Sequence, residues 1–421
     1  MKARRLAFFA AFLVGAALFS VNAAAVVLSE DALEGDSLSV GGSVRLYDLV
    51  LWGGPLASPL APPGSNPTEL AVTALRPMFE WKRSSGFSLV VHDELVSTAS
   101  TTALGAFGGS LALGRASAVP VWLPLQWQAV DDPTYALRDR IDWAYARYAA
   151  GAVTVTAGRQ PVSIGRGQIW TPEDLIAPFS PLQIDTEYKP GADALRVDVA
   201  TSSAFNLVAL GAAAKNDNSS LLARFELGTD ALRIGAMAGS VRTDVVLGAD
   251  LFVDLGHGSD FHGAGTITRV TRAERRPWDR RAFSRAVVGV TSELSSTLHV
   301  TAEGYFNGAG ARSPEQYLEE LGGPRVSLGE TYTAGRLYAG AAADFAPHPL
   351  LHLELSVIAN LEDPSAIVAP SALYSVAENV SLIAGAMLGV GERPRYGTGV
   401  VPASEFGSYP GLAHLDVKLW F

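Results

Sequence analysis

The sequence predicts an all-β fold, a transmembrane antiparallel β-barrel of about eighteen strands, and three observations predict it. Apolar and polar residues alternate with period two over long runs, the links between those runs alternate between short and long, and the chain opens on an export signal. Period two places successive side chains on opposite faces of a strand, so one face suits lipid and the other water.

The opening segment, 1–25, is basic at Lys2, Arg4 and Arg5, apolar from Leu6 to Phe19, and ends in Ala23 and Ala25 in an A-x-A arrangement. That pattern is a secretory signal peptide, its apolar run being short for a bilayer span of roughly 20 residues. The barrel is expected over 26–421. Removing the signal leaves 29 basic residues (32 less the three named) against 42 acidic ones, so the formal charge moves from -10 to -13. An acidic exported chain is not a nucleic-acid binder by charge. With no cysteine in 421 residues, disulfide scaffolds, thiolate metal sites and cysteine catalysis are excluded together. Mean hydropathy is +0.20 without a helical span after the signal, as expected of a wall that hides its hydrophobicity in every second position.

The runs begin near Ser37, Leu70, Gly86, Tyr135, Ala152, Ala192, Ala204, Leu221, Ala231, Asp244, Phe261, Ala282, Thr297, Ala334, Leu350, Ala366, Val380 and Leu412. Sixteen strands are also admissible, and both counts are even, as in bacterial barrels. In 412–421, Ala413, Leu415, Val417, Leu419 and Phe421 alternate with His414, Asp416 and Lys418. The same dyad sets Leu221, Ala223, Phe225 and Leu227 against Arg224 and Glu226, and Leu298, Val300 and Ala302 against His299, Thr301 and Glu303. The runs are longer than the five or six residues usual in a soluble sandwich. Short links fall at 82–85, 150–151, 201–203, 229–230, 294–296 and 377–379, and long ones at 52–69, 98–134, 161–191, 308–333 and 391–411. Barrels of this class turn tightly on the periplasmic side and loop outside, which places both termini in the periplasm. One crossing, Arg242 to Thr243, is short where a long loop was allowed.

The densest segment is 157–199. It carries Gly158, Arg159 and Gln160, then Gly165, Arg166 and Gly167, Pro172, Asp174 and Leu175, Pro178 to Pro181, and finally Glu187, Tyr188, Pro190, Gly191, Asp193, Ala194, Leu195 and Arg196. Over these roughly forty residues the chain resembles poorly characterised Gram-negative outer-membrane barrels related to alginate-export-type porins. The resemblance implies a barrel and no particular substrate. A C-terminal aromatic strand ending in Phe421 likewise resembles the signal read by the barrel assembly machinery of outer membranes.

The loop 161–191 is too long and Pro-rich for an ordinary connection. It is expected to fold into the lumen and build a constriction, with Arg159, Arg166, Lys189 and Arg196 facing Glu173, Asp174, Asp185 and Glu187. Opposed charges across a narrow wet section select permeants by charge; the same residues equally read as salt bridges pinning the loop to the wall. A basic cluster around Arg272, Arg275, Arg276, Arg280 and Arg281 suits lipopolysaccharide phosphates, and equally a solvated loop. His257, His262, His348 and His352 have no carboxylate triad or H-E-x-x-H pattern, so no metal or other cofactor is expected. No nucleophile elbow is present. The sequence therefore points to passage of small polar or charged solutes across the outer membrane, with a largely plugged structural or assembly-partner barrel, or an outer-membrane enzyme, as the other readings.

Overall fold

The computed structural model describes residues 26–31, 35–53, 67–104, 119–181, 187–271, 281–396 and 399–421. Its strands are β1 (Val26–Asp31), β2 (Asp36–Trp52), β3 (Thr68–Lys82), β4 (Phe87–Ser100), β5 (Gln126–Asp132), β6 (Tyr135–Ala150), β7 (Val153–Pro161), β8 (Gly191–Ser202), β9 (Phe205–Ala212), β10 (Ser220–Gly228) and β11 (Leu232–Val241). They continue as β12 (Asp244–Gly256), β13 (Ser259–Arg269), β14 (Ala282–Ser295), β15 (Leu298–Asn307), β16 (Leu337–His348), β17 (Leu351–Asn360), β18 (Ser365–Ala377), β19 (Val380–Val390), β20 (Arg395–Tyr396), β21 (Val400–Val401) and β22 (Gly411–Trp420). Eighteen of them, β2 to β4, β6 to β19 and β22, pair antiparallel in an unbroken ring that β22 closes against β2. All eighteen begin within three residues of the positions read from the dyad pattern. A closed ring leaves no unpaired edge, which is why long apolar-faced strands end as a barrel.

Alternation sorts the faces. Leu221, Leu247 and Val288 point outward, at 68%, 57% and 56% exposure, while Arg224, Asp250 and Arg285 on the same or neighbouring strands are buried in the lumen. Last and first strands are locked at their ends, where Gly42 N–H donates to Phe421 O (2.7 Å) and Phe421 N–H to Gly42 O (2.9 Å). A Cβ on Gly42 would lie 2.7 Å from the Phe421 ring, so the ring lies directly over that glycine.

The short crossing at 242–243 is a two-residue turn with both residues at positive φ, 49° for Arg242 and 76° for Thr243. That conformation is costly for a β-branched threonine. It is held because Arg242 is buried, donating to Ile176 O (3.2 Å) and pairing with Glu330 (3.1 Å).

Two places depart from a simple ring: β1 pairs with β2 over 36–40, beyond the end of β22, and β5 adds to β6. β6 pairs with β7 only over 144–150, and over 135–140 the same edge takes β5 instead. The opening between β5 and β7 is closed by side chains. Arg159 donates Nε to Asp193 (2.8 Å), Nη1 to Ile141 O (3.2 Å) and Nη2 to Leu123 O, while Asp193 accepts the N–H groups of Trp122 (2.9 Å) and Leu123 (2.8 Å). This corrects the expectation for Arg159. Its register partner is Asp193, on the face of Val153 and Leu195 that looks away from the lumen, so Arg159 stitches the wall and reaches no constriction.

Candidate functional site

The described parts of the inward segment, 162–181 and 187–190, lie across the barrel against lumen-facing side chains. Its first part packs Val162, Ile164, Leu175, Ile176 and Ala177 on Leu210, Leu222, Met237, Val241 and Val246 of β9 to β12. Its tip seats Trp170 among Val287, Tyr305, Tyr338, Ile358, Phe406 and Tyr409. Each such apolar side chain contributes roughly 1.5–3 kcal/mol on burial, more than an exposed ion pair, so apolar packing sets where the segment lies. Segments 308–336, carrying α1 (Tyr317–Leu321) and α2 (Pro324–Ser327), and 391–410 pack beside it. There the buried Glu405 accepts Ala334 N–H (2.7 Å), the Tyr338 hydroxyl (2.6 Å) and Asn360 Nδ2 (2.8 Å).

The tip is shaped by two glycines. Gly165 sits at φ +99°, and a Cβ on Gly167 would meet Trp170 O at 1.7 Å, so neither place admits a side chain without rebuilding the turn. The turn aims three successive amides at one carboxylate: Gln168 N–H donates to Glu303 (2.7 Å), followed by Ile169 N–H (3.1 Å) and Trp170 N–H (3.0 Å). His262 Nε2 contacts the same Glu303 (2.8 Å), its Nδ1 lying 3.2 Å from Asp260. The Trp170 ring stacks on Tyr305 at 5.2 Å between centroids.

Below the first part lies a charged group. Arg166 pairs with Glu226 (2.5 Å) and Asp250 (3.1 Å), and Arg224 with Asp250 (2.7 Å) and Glu226 (3.1 Å). Glu173 is fully buried beside them; burial first, and then Asp250, push its carboxyl up to about 8. Arg196 makes a fork with Asp198, Nη2 at 2.7 Å and Nε at 2.8 Å. Ser163, Ile164, Arg166, Arg196, Arg224 and Glu226 are among the residues lining a cavity of about 260 Å³ between segment and wall.

The remaining expected residues sit elsewhere. Asp174 and Lys189 pair with each other inside the segment, and Lys189 also donates to Ser163 (2.9 Å). Glu187 pairs with Lys418 on the opposite strand β22. Tyr188, next to it, lies under the Arg76 guanidinium at 4.3 Å. Asp185 lies outside the described residues, as do Arg272, Arg275, Arg276 and Arg280; Arg281 is described, exposed at the foot of β14, its carbonyl accepting Val270 N–H (2.9 Å). The structure thus gathers Arg166 and Glu173 into one cluster, with Arg196 lining the same cavity as Arg166, and places Asp174 with Lys189, Glu187 on β22 and Arg159 in the wall. What residue-by-residue reading missed are the wall groups they meet, Glu303, His262, Asp250, Glu226 and Lys418. Their signal was the polar half of the dyad pattern.

No described protein family matches the sequence, and no curated protein matches it. Solved structures do. OccAB1 of Acinetobacter baumannii superposes with a TM-score of 0.56 at 10% identity, covering 95% of this chain and 98% of that one. OccK8 (OprE) of Pseudomonas aeruginosa gives 0.55 at 8% identity, covering 91% and 98%. The chain shares their fold. The outer membrane protein OprD of Pseudomonas aeruginosa, at 0.52 and 10% identity with 95% of each chain covered, has it too.

Proposed function

We propose that the protein is an outer-membrane channel of a Gram-negative cell that passes small polar or charged solutes, with residues 162–190 setting the narrowest section. One observation carries the reading: a closed ring with an apolar exterior surrounds charged groups that still touch water, Arg166 and Glu226 at 21% exposure and Arg196 at 27%, around a cavity of about 260 Å³. An apolar outer face has no use in water, and a charged interior has none in a closed core. Opposed charges at that section act at short range on whatever crosses it. Kinship with alginate-export-type barrels rests on residues 158–196 and belongs to the same proposal, as do export by 1–25, assembly through Phe421 and a lipopolysaccharide contact at Arg272–Arg281. Single-channel recording in planar bilayers tests it, since discrete conductance steps with a measurable ion preference are expected. A silent bilayer containing folded barrels overturns passage and leaves the plugged reading, which the apolar packing of the segment on β9 to β19 favours.

A further inference from the structure

Between the tip of the inward segment and the wall is a cavity of about 30 Å³, lined by residues that include Ile169, Trp170, Pro178, Arg285, Glu330 and Tyr332. That is room for one or two water-sized species. Two donors belonging to its lining are buried and have no acceptor among the described residues, Arg285 Nε and Trp170 Nε1. Arg285 is 3% exposed and Trp170 5%.

Three lining acceptors, by contrast, are engaged, while the Thr333 hydroxyl is buried without a partner among the described residues and can donate as well as accept. Glu330 O takes Arg285 Nη1 (2.7 Å), Pro178 O takes the Tyr332 hydroxyl, and the Glu330 carboxylate is held by Arg242 (3.1 Å) and Arg325 (2.6 Å). The orientation of the indole agrees. A Cβ built on Gly340 of β16 would touch Trp170 Cη2 and Cζ3, so the benzo edge faces β16 and the N–H edge faces away from it, in a ring that lines the same cavity as Arg285. A buried donor left unmade costs on the order of 1–3 kcal/mol, more when it is charged.

We propose that this cavity binds a small inorganic anion of chloride size, held by Arg285 Nε and Trp170 Nε1, which ties the tip of the segment to the wall. A site offering donors, one of them a guanidinium, suits a species that only accepts. The Thr333 hydroxyl, buried and unpartnered in the same lining, is able to turn its hydrogen to such a species as a third donor.

The test uses the full folded chain. Crystals soaked in sodium bromide are expected to show an anomalous peak within hydrogen-bond distance of both donors. In solution, chloride is expected to raise the thermal midpoint over gluconate at equal ionic strength, steadily with the logarithm of its concentration once above the dissociation constant; a ligand at ten times that constant multiplies the folded-to-unfolded ratio about elevenfold. Trp170→Phe keeps the ring on Tyr305 and removes only the N–H, so the chloride concentration needed for a given rise of the midpoint should increase about tenfold, as for one hydrogen bond to a charged group. Arg285→Met should abolish the effect; should that variant fail to fold, Trp170→Phe and the bromide map still decide. No bromide peak at the site, or the same chloride dependence of the midpoint in Trp170→Phe, overturns the proposal and assigns the cavity to water.

Discussion

Glu303→Ala is the most informative single change. The carboxylate accepts three consecutive amides of the segment tip and faces His262, so truncation leaves four polar groups without their partner. Hydrogen bonds to a charged acceptor are each worth about 1.5–3 kcal/mol net. Water entering the space left by the side chain restores part of this, so about 3 kcal/mol of docking free energy should be lost, roughly two orders of magnitude in the ratio of docked to released segment. The apolar contacts of Val162, Ile164, Leu175 and Ile176 remain, so the first half should stay on the wall while the tip is freed. In planar bilayers, Glu303→Ala is expected to show larger or rapidly fluctuating conductance, and protease should cut near 167–170 in the variant alone. Glu354→Gln is the control, a lumen carboxylate on β17 that accepts only the Ser371 hydroxyl (3.2 Å). If Glu303→Ala conducts and resists protease as the parent does, the tip is held by Trp170 packing alone and the latch argument fails.

Other changes test neighbouring links. Gly167→Ala should lower the yield of correctly refolded barrel, read as the heat-modifiable band on a gel, because its Cβ has no room beside Trp170 O. Replacing Glu226 by Gln should move the reversal potential toward anion preference and Arg196→Gln toward cation preference, since both side chains line the larger cavity; equal reversal potentials would place the narrowest section elsewhere. Burial and Asp250 raise the Glu173 carboxyl from 4.5 to about 8. An acid raised in the folded state stabilises the fold when protonated, so its contribution is complete below about pH 4.5 and lost as pH rises through about 8. The thermal midpoint should therefore fall between pH 6 and pH 9, and Glu173→Gln should flatten that slope. Deleting Phe421 should leave export intact and reduce membrane insertion, because it removes both hydrogen bonds to Gly42 at the closure.

The ring was legible because its cause is local. Each strand carries its own alternation, and a one-residue error in register would turn Leu221 and Leu227 inward and Arg224 outward, so the pattern fixes faces without knowledge of neighbours. Two strands of the main sheet were not read from the pattern. β5 lies inside the long link 98–134, and β1 is a six-residue strand ahead of the first dyad run. The site was harder, since its partners come from across the barrel. Arg166 and Glu173 stand out in a charged, Pro-rich stretch, but nothing in the sequence says that Glu303, more than a hundred residues on, receives the turn between them. Arg159 shows the reverse failure: its neighbours in sequence suggested a pore, and its strand parity, odd like Val153 and Val155, already pointed away from one.

The side-chain closure between β5 and β7 has a consequence for how this wall meets other chains. An exposed strand edge is a template onto which another strand can add. Where the backbone ladder of β6 passes from β7 to β5, Arg159 and Asp193 occupy the carbonyls of Leu123 and Ile141 and the amides of Trp122 and Leu123, much as a capping side chain occupies the free amides at the start of a helix. The pair is thus an edge guard. Losing it would leave Leu123 and Trp122 offering free backbone groups on the outer side of the wall, where the readiest partner is the same edge of another barrel.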